Sequence, residues 1–264
     1  MAPAHTTATW TTKRPDPIRG LRVAITGGTS GLGLALVKAY TSQGGHVAFV
    51  ARERTRVEHV AAETCAHGIV ADVANKRDIH RIALQITGLL GGLDVLVNNA
   101  SSLGPVPLRP LADTDCEDLD LALATNVVGP FRLTKALLGA LAASARDGHG
   151  AVVVNVSSDA ARNAYAGWGA YGASKAALHH MSDVWQEESA SYGVRFLSLD
   201  PGDMDTPFHA LAVPDADPGA LKRPADAAHA LTDAISGALA DLRARCSSAL
   251  EALPNPAALE TQTR

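Results

Sequence analysis

The sequence is poor in cysteine, in aromatic residues and in surplus positive charge, and it has no long apolar run. Its three cysteines, Cys65, Cys116 and Cys246, are far apart and odd in number. Such a set builds neither a disulfide framework nor a zinc site, and it points to a reducing compartment. They are expected as small buried or half-buried side chains. Aromatic residues make up only 4%, too few for a base-stacking surface. Lysine and arginine total 23 against 27 acidic residues, a net charge of -4. No basic surplus exists to neutralise phosphates, which excludes a nucleic-acid partner. No stretch approaches the roughly 18 apolar residues needed to span a membrane. The Thr- and Pro-rich residues 1–17 lack the continuous apolar segment of a secretory signal. A cytoplasmic protein without membrane contact is expected, with a flexible tail at 1–17 and a second at 254–264.

What the sequence does have is a core: 47% of its 264 residues are hydrophobic. The length allows one large α/β domain or two small ones. Short apolar runs at 21–26, 46–51, 69–71, 93–97, 151–156 and 194–199 read as strands. Between them, helical spacing appears at 31–43, 55–66, 75–90, 114–144 and 169–192, with two further helical stretches after 207 and 224. The 75–90 segment places Ile79, Ile82, Ala83 and Ile86 at i, i+3, i+4 and i+7. The strands are continuous apolar runs rather than alternating ones, as parallel strands covered on both faces require. Strand and helix alternate without a linker. The pattern predicts one α/β domain over 18–253, a Rossmann-like doubly wound parallel sheet of six to seven strands with helices on both faces.

Two local patterns carry chemistry. The first strand ends in Thr26-Gly27-Gly28-Thr29-Ser30-Gly31-Leu32-Gly33 and opens a helix. A glycine-rich turn there lets the backbone approach a pyrophosphate, and the helix N-terminus offers free N–H groups and a positive dipole end. The second pattern is Tyr171-Gly172-Ala173-Ser174-Lys175. It puts a phenol and an ammonium at i and i+4, on one helix face. Tyrosine, with a pKa of about 10, is a weak base near neutrality, and a neighbouring lysine cation is expected to stabilise its phenolate. A tyrosine tuned in this way exchanges a proton with a carbonyl oxygen.

In these motifs the sequence resembles the short-chain dehydrogenase/reductase family, over residues 20 to about 207. The loop of Thr26, Gly27, Thr29, Ser30, Gly31, Leu32 and Gly33 matches the family's cofactor motif. Asp72-Val73 matches the pair that contacts adenine. Asn98-Asn99-Ala100 matches three residues of the family's N-N-A-G motif, with Ser101 in place of the last glycine; a backbone needing φ > 0 there would cost a serine more. Ser158, 13 residues before Tyr171, stands where the family has its catalytic serine, with Ser157 as the competing choice. Asn126 matches the tetrad asparagine, whose implied role is to hold a water linking Lys175 to solvent. Pro201-Gly202 and Thr206 match the turn and the residue that contact the nicotinamide. The resemblance thus implies a catalytic set of Asn126, Ser158, Tyr171 and Lys175. It also implies a cofactor site formed by the glycine loop, Asp72, Val73, Asn98, Ala100, Tyr171, Lys175, Pro201, Gly202 and Thr206.

The cofactor's identity turns on the end of the second strand. An acidic residue there binds the ribose 2′-OH of NAD. Here Ala51 occupies that place and Arg52 follows, and a guanidinium suits a 2′-phosphate. NADP(H) is therefore favoured, with NAD(H) the alternative and Glu53 a complication if it turns inward. The implied reaction is reduction of a ketone to a secondary alcohol, the substrate a small carbonyl or alcohol. Two alternatives stand: an alcohol dehydrogenase running oxidatively, and a non-catalytic dinucleotide sensor. No metal is expected, and adjacent His179 and His180 read as surface residues. The pocket walls are expected from 159–170, with Asn163, Tyr165 and Trp168, from a lid at 207–223 with His209, and from 103–108. The resemblance implies a homodimer or homotetramer packed through the helices at 114–144 and 169–192, with Leu178, Met181 and Trp185 available to that face. The family's last strand and its glycine-rich close are not found in the sequence; residues 224–252 read as helix instead.

Overall fold

The computed structural model describes residues 18–251, so the two tail assignments, 1–17 and 254–264, lie outside the described residues. Six strands form one parallel sheet: β1 (Arg22–Thr26), β2 (His46–Ala51), β3 (His67–Val70), β4 (Val95–Asn98), β5 (Ala151–Val156) and β6 (Val194–Leu199). Their order is β3-β2-β1-β4-β5-β6. The chain therefore winds outward from β1 in one direction and then in the other. The crevice at the reversal, between β1 and β4, is where such sheets bind ligands.

The central strands β1, β4 and β5 are buried on both faces, and the pleat divides their residues between two cores. Val23, Ile25, Val95, Val97, Val152 and Val154 face helices α1 (Gly31–Ser42) and α8 (Pro224–Glu251). Ala24, Leu96 and Val153 face helices α3 (Ile79–Leu90) and α5 (Gly129–Arg146). The remaining helices are α2 (Arg54–Thr64), α4 (Cys116–Leu123), α6 (Gly169–Ser189) and α7 (Pro207–Ala212). The stripe read from 75–90 is the buried side of α3, with Ile79, Ile82, Ala83 and Ile86 all inside. The ends of the sheet opposite the crevice are tied by Arg22, whose guanidinium donates to the Asp94 carboxylate at 2.6 Å. Burial alone would raise the Asp94 pKa, but hydrogen bonds from Arg22 and Ser144 outweigh it and hold the carboxyl below its ordinary range.

Two expectations change. The stretch at 114–144 is not one regular helix: Ala124–Val128 form a π-helical turn between α4 and α5. Cys65 and Cys116 are exposed, while Cys246 is half-buried as expected. Six strands are present among the described residues, within the expected six to seven. The segment from 224 is helical as read, and its Ala227, Ala228, Leu231, Ile235 and Leu239 close the core beside α1.

Candidate active site

The phosphate loop is shaped by its glycines. Gly27 takes φ +71° and Gly31 φ +50°, both left-handed. A Cβ on Gly33 would stand 2.1 Å from the Gly27 carbonyl oxygen and 2.6 Å from Asn99 Nδ2, so only glycine allows the helix to start this close to the loop. Ser30, the N-cap of α1, makes no side-chain cap, and no acidic residue lies in the first turn. The N–H groups of Gly31, Leu32 and Gly33 thus face outward without an intrahelical acceptor. Thr26 and Asn99 weld the ends of β1 and β4 together. Thr26 Oγ1 accepts from the N–H groups of Asn99 and Ala100, each at 3.0 Å. Asn99 Nδ2 donates to the carbonyls of Thr26, at 2.8 Å, and Gly27, at 3.3 Å.

A cleft of about 620 Å³ opens along the strand ends. Gly27, Thr29, Ser30, Gly31 and Leu32 form its floor, and Arg52, Asp72 and Val73 one end. Ala100, Ser158, Tyr171 and Lys175 line the middle; Pro201, Gly202 and Thr206 stand opposite the glycine loop. Thr26, Gly33, Asn98 and Asn126 are not on the wall. Thr26 and Gly33 support the loop from behind. Asn98 is the furthest from expectation: it is 3% exposed and donates to Asn155 Oδ1 at 2.8 Å and Thr134 Oγ1 at 3.2 Å, inside a polar chain beneath the cleft. Its neighbour Asn99 reaches the wall instead. The side chains at 98 and 99 point to opposite sides, and sequence alone did not say which one faces the ligand. Ser101 has no positive φ, so the serine costs no strain.

Tyr171, Ser174 and Lys175 share one face of α6 at i, i+3 and i+4, and all three are buried. Lys175 Nζ donates to the Val156 carbonyl at 2.7 Å and stands 5.5 Å from the Tyr171 ring centre. Burial pushes the Lys175 ammonium down to about 8. Burial also pushes the Tyr171 phenol up to about 12, against a lowering by the nearby Ser158 hydroxyl. The expected lowering of the phenol by Lys175 is not what this structure shows: desolvation raises the phenol, and the carboxylates of Asp200, Asp159 and Asp203 add to the rise.

Asn126 sits inside the π-helical turn and is fully buried. Its Nδ2 donates to Ser174 Oγ and the Ser102 carbonyl, both at 2.8 Å. Its Oδ1 accepts from Ser101 Oγ at 3.1 Å and the Ser102 N–H at 2.8 Å. The carboxamide is thus saturated by protein partners. Ser174 was missed from sequence, though its i+3 spacing from Tyr171 pointed to it; Ser101 was singled out only as a departure from the motif, not as a partner of Asn126.

The second strand ends in an open basic patch. Glu53 turns to Arg56, at 2.6 Å, and Arg52 makes no ion pair among the described residues. At the other end, Thr206 caps α7 by accepting from the His209 N–H at 3.1 Å, and Pro207 takes the first helical position as expected. Of the predicted pocket walls, Trp168 and Phe208–His209 line the cleft, while Asn163 and Tyr165 do not. Leu103 packs with Ala160 and Tyr171 behind the wall rather than on it. His179 binds Ser198 Oγ at 2.8 Å and His180 is exposed. No metal-binding cluster occurs among the described residues, nor is any described helix long and apolar enough to cross a membrane.

The burial of Lys175 makes a stability prediction. A lysine with its folded pKa lowered is charged in both states below pH 8, where its full burial cost is present. The cost is relieved between about pH 8 and 10.5, because the unfolded state then binds more protons. From pH 7.5 to 9.5, urea denaturation is expected to show the wild type gaining about 2 kcal/mol relative to Lys175→Met. A flat difference over that range would show the ammonium to be solvated.

Comparison with known proteins agrees with this geometry. The short chain dehydrogenase family model matches residues 22–216. An uncharacterized oxidoreductase of Mycobacterium bovis is 33% identical over 229 residues, which cover 83% of this chain and 65% of that protein; the chain spans only that share of the relative's length. The crystal structure of a 3-ketoacyl-(acyl-carrier-protein) reductase from Brucella melitensis, complexed with NADH, superposes with a TM-score of 0.76 at 27% identity, over 81% of this chain and 90% of that one. A short chain dehydrogenase from Escherichia coli, complexed with NADPH, gives a TM-score of 0.73 at 29% identity, with coverage of 81% and 90%. With its sheet order, its glycine loop and its Tyr171–Lys175 pair, the chain belongs to the short-chain dehydrogenase/reductase family.

Proposed function

We propose that the protein is an NADP(H)-dependent oxidoreductase that reduces a ketone to a secondary alcohol. The observation that carries this reading is the buried Tyr171 phenol beside Ser158 and Lys175 at the centre of the cleft. Burial raises the phenol and so favours its acid form, the form that gives a proton to a carbonyl oxygen. The alcohol dehydrogenase alternative uses the same residues in reverse, and the cofactor ratio sets the net direction. Ser158 and Tyr171 would hold the substrate oxygen, and Tyr171 would give it a proton. Lys175 would compensate the charge left on the phenol, and the Asn126 main-chain carbonyl would hold the water that reprotonates it.

The glycine loop fits a dinucleotide. Its left-handed Gly27 and Gly31 and the bare α1 N-terminus form a cradle for a pyrophosphate, and Thr206 stands against Gly31. The bound nicotinamide would supply the hydride. Asp72 and Val73 would border the adenine, and Ala100, Pro201 and Gly202 the nicotinamide half. Arg52 would take the 2′-phosphate, as the Glu53–Arg56 pair leaves it unengaged. The Arg52→Ala variant is expected to weaken NADPH binding about 10- to 100-fold and NADH binding less than threefold, measured by fluorescence titration. Equal effects on the two would remove this role.

A homo-oligomer packed through α5 and α6 fits the exposed Phe131 and Val184. Leu178 belongs to the core, and Trp185 stacks on Phe196 with 5.5 Å between ring centres. The domain spans 18–253 on this reading, in a cytoplasmic protein. The decisive experiment is NADPH oxidation against a panel of ketones and aldehydes. Turnover of a ketone supports the reading; tight NADPH binding with no turnover of any carbonyl would instead leave the sensor alternative.

A further inference from the structure

We infer that the substrate end of the cleft selects a cationic molecule, an ammonium-bearing ketone or alcohol, held by Asp159 and Asp203 beside the rings of Trp168 and Phe208. This rests on the oxidoreductase reading above and deepens it. The cleft has two electrostatic ends. Arg52 stands at the end of β2, while the end beyond Tyr171 is lined by three exposed carboxylates, Asp159, Asp200 and Asp203. Residues 200–221 carry Asp200, Asp203, Asp205, Asp215 and Asp217 and no lysine or arginine, in a chain whose whole net charge is -4. This segment is pinned over the cleft at its base, where Asp205 N donates to the Lys222 carbonyl and Lys222 N to the Asp203 carbonyl.

Asp159 and Asp203 meet no lysine or arginine within 4.0 Å among the described residues, and the one ion pair is His209 to Asp203 at 3.8 Å. Asp200 differs: it lies in the field of the buried Lys175 ammonium. Lys222 turns its ammonium to the Pro201 carbonyl at 3.3 Å. Asp159 is moreover held in place. One oxygen accepts from Tyr165 Oη at 2.7 Å and the other from Ser158 Oγ at 3.1 Å. Aromatic rings line the same cleft: the Tyr171 ring is flanked by Trp168, 5.7 Å away, and Phe208, 6.0 Å away. Carboxylates beside aromatic rings are the chemistry that recognises an ammonium group. An anionic substrate would be repelled by the same charges.

The geometry also couples recognition to chemistry. The Ser158 hydroxyl donates to Asp159, so it must turn to reach a substrate oxygen. A cation seated on Asp159 weakens that hold and releases Ser158 toward the carbonyl.

The test uses a matched pair of ketones with NADPH: phenacyltrimethylammonium, permanently charged, and its carbon isostere 3,3-dimethyl-1-phenylbutan-1-one. The kcat/KM of the cation is expected to exceed that of the isostere at least about tenfold, and the ratio to shrink as salt rises from about 20 to about 500 mM. In Asp159→Asn, which keeps the hydrogen-bonding shape, and in Asp203→Asn, the ratio is expected to fall about tenfold, mainly through KM. The dissociation constants of the same two ketones, measured by calorimetry on NADPH-loaded Tyr171→Phe protein, give the preference independently of turnover. Because an α-ammonium group activates a carbonyl inductively, the dissociation constants decide: a ratio near one there overturns the inference, whatever the kcat/KM ratio, while leaving a ketone reductase. Preference in binding without turnover in the wild type upholds it and overturns the reductase reading.

Discussion

Tyr171→Phe is expected to lower ketone turnover by about 10³- to 10⁴-fold while leaving NADPH affinity within about twofold. The hydroxyl is the only group removed, and on the proposed reading it is the group that gives the carbonyl its proton. The ring itself stays packed between Trp168 and Phe208, so the wall keeps its shape. Because the phenol is buried and raised to about 12, its removal also takes away a group that resists ionisation. The wild type should lose stability above about pH 10, where the unfolded tyrosine ionises and the folded one does not, and the variant should lose less. Stopped-flow NADPH oxidation and a binding titration check the two halves. Unchanged turnover would remove Tyr171 from the chemistry; lost NADPH binding would show that the hydroxyl holds the cofactor instead.

The second large effect is expected from Gly33→Ala. The new Cβ has nowhere to go: its nearest neighbours are the Gly27 backbone and the Asn99 amide, both of which hold the loop in place. Moving them separates the N-terminus of α1 from the end of β1, so the N–H groups no longer converge on one phosphate. Dinucleotide affinity is expected to fall at least about 100-fold, with about 1–3 kcal/mol of stability lost to overpacking. Gly88→Ala, in α3 with open space around it, is the control. It should bind normally and gain a fraction of a kcal/mol, because alanine loses less chain entropy. Normal binding by the Gly33 variant would mean that the cradle is not where the dinucleotide sits.

Much of this molecule was legible before its structure. The doubly wound parallel sheet could be foreseen because parallel strands buried on both faces must be continuous apolar runs, and alternation with helices leaves few topologies. The Tyr171–Lys175 pair and the Gly27–Gly33 loop were legible for the same reason: helix periodicity and left-handed backbone angles act over a few residues. Asn98 and Asn99 show the limit. Both stand in the same motif, and which amide faces the cleft depends on the twist and pairing of β4 rather than on either residue's identity. The last strand shows another limit. Absence of its pattern was readable, but only packing against α1 could show that a helix fills the core in its stead.

The sequence by itself determined the fold class, the glycine loop and the Tyr171–Lys175 pair, since each follows from local geometry and short-range periodicity. Only the tertiary structure decided the states of those groups. Burial, a property of the whole assembled cleft, raises Tyr171 and lowers Lys175, where an i, i+4 reading considers only their mutual attraction. Only the fold brings Asp159, Asp200 and Asp203, from the ends of two strands and the segment after them, to one end of one cleft. Residues far apart along the chain acquire a common electrostatic field only when the sheet closes, and that field is what separates the two ends of this site.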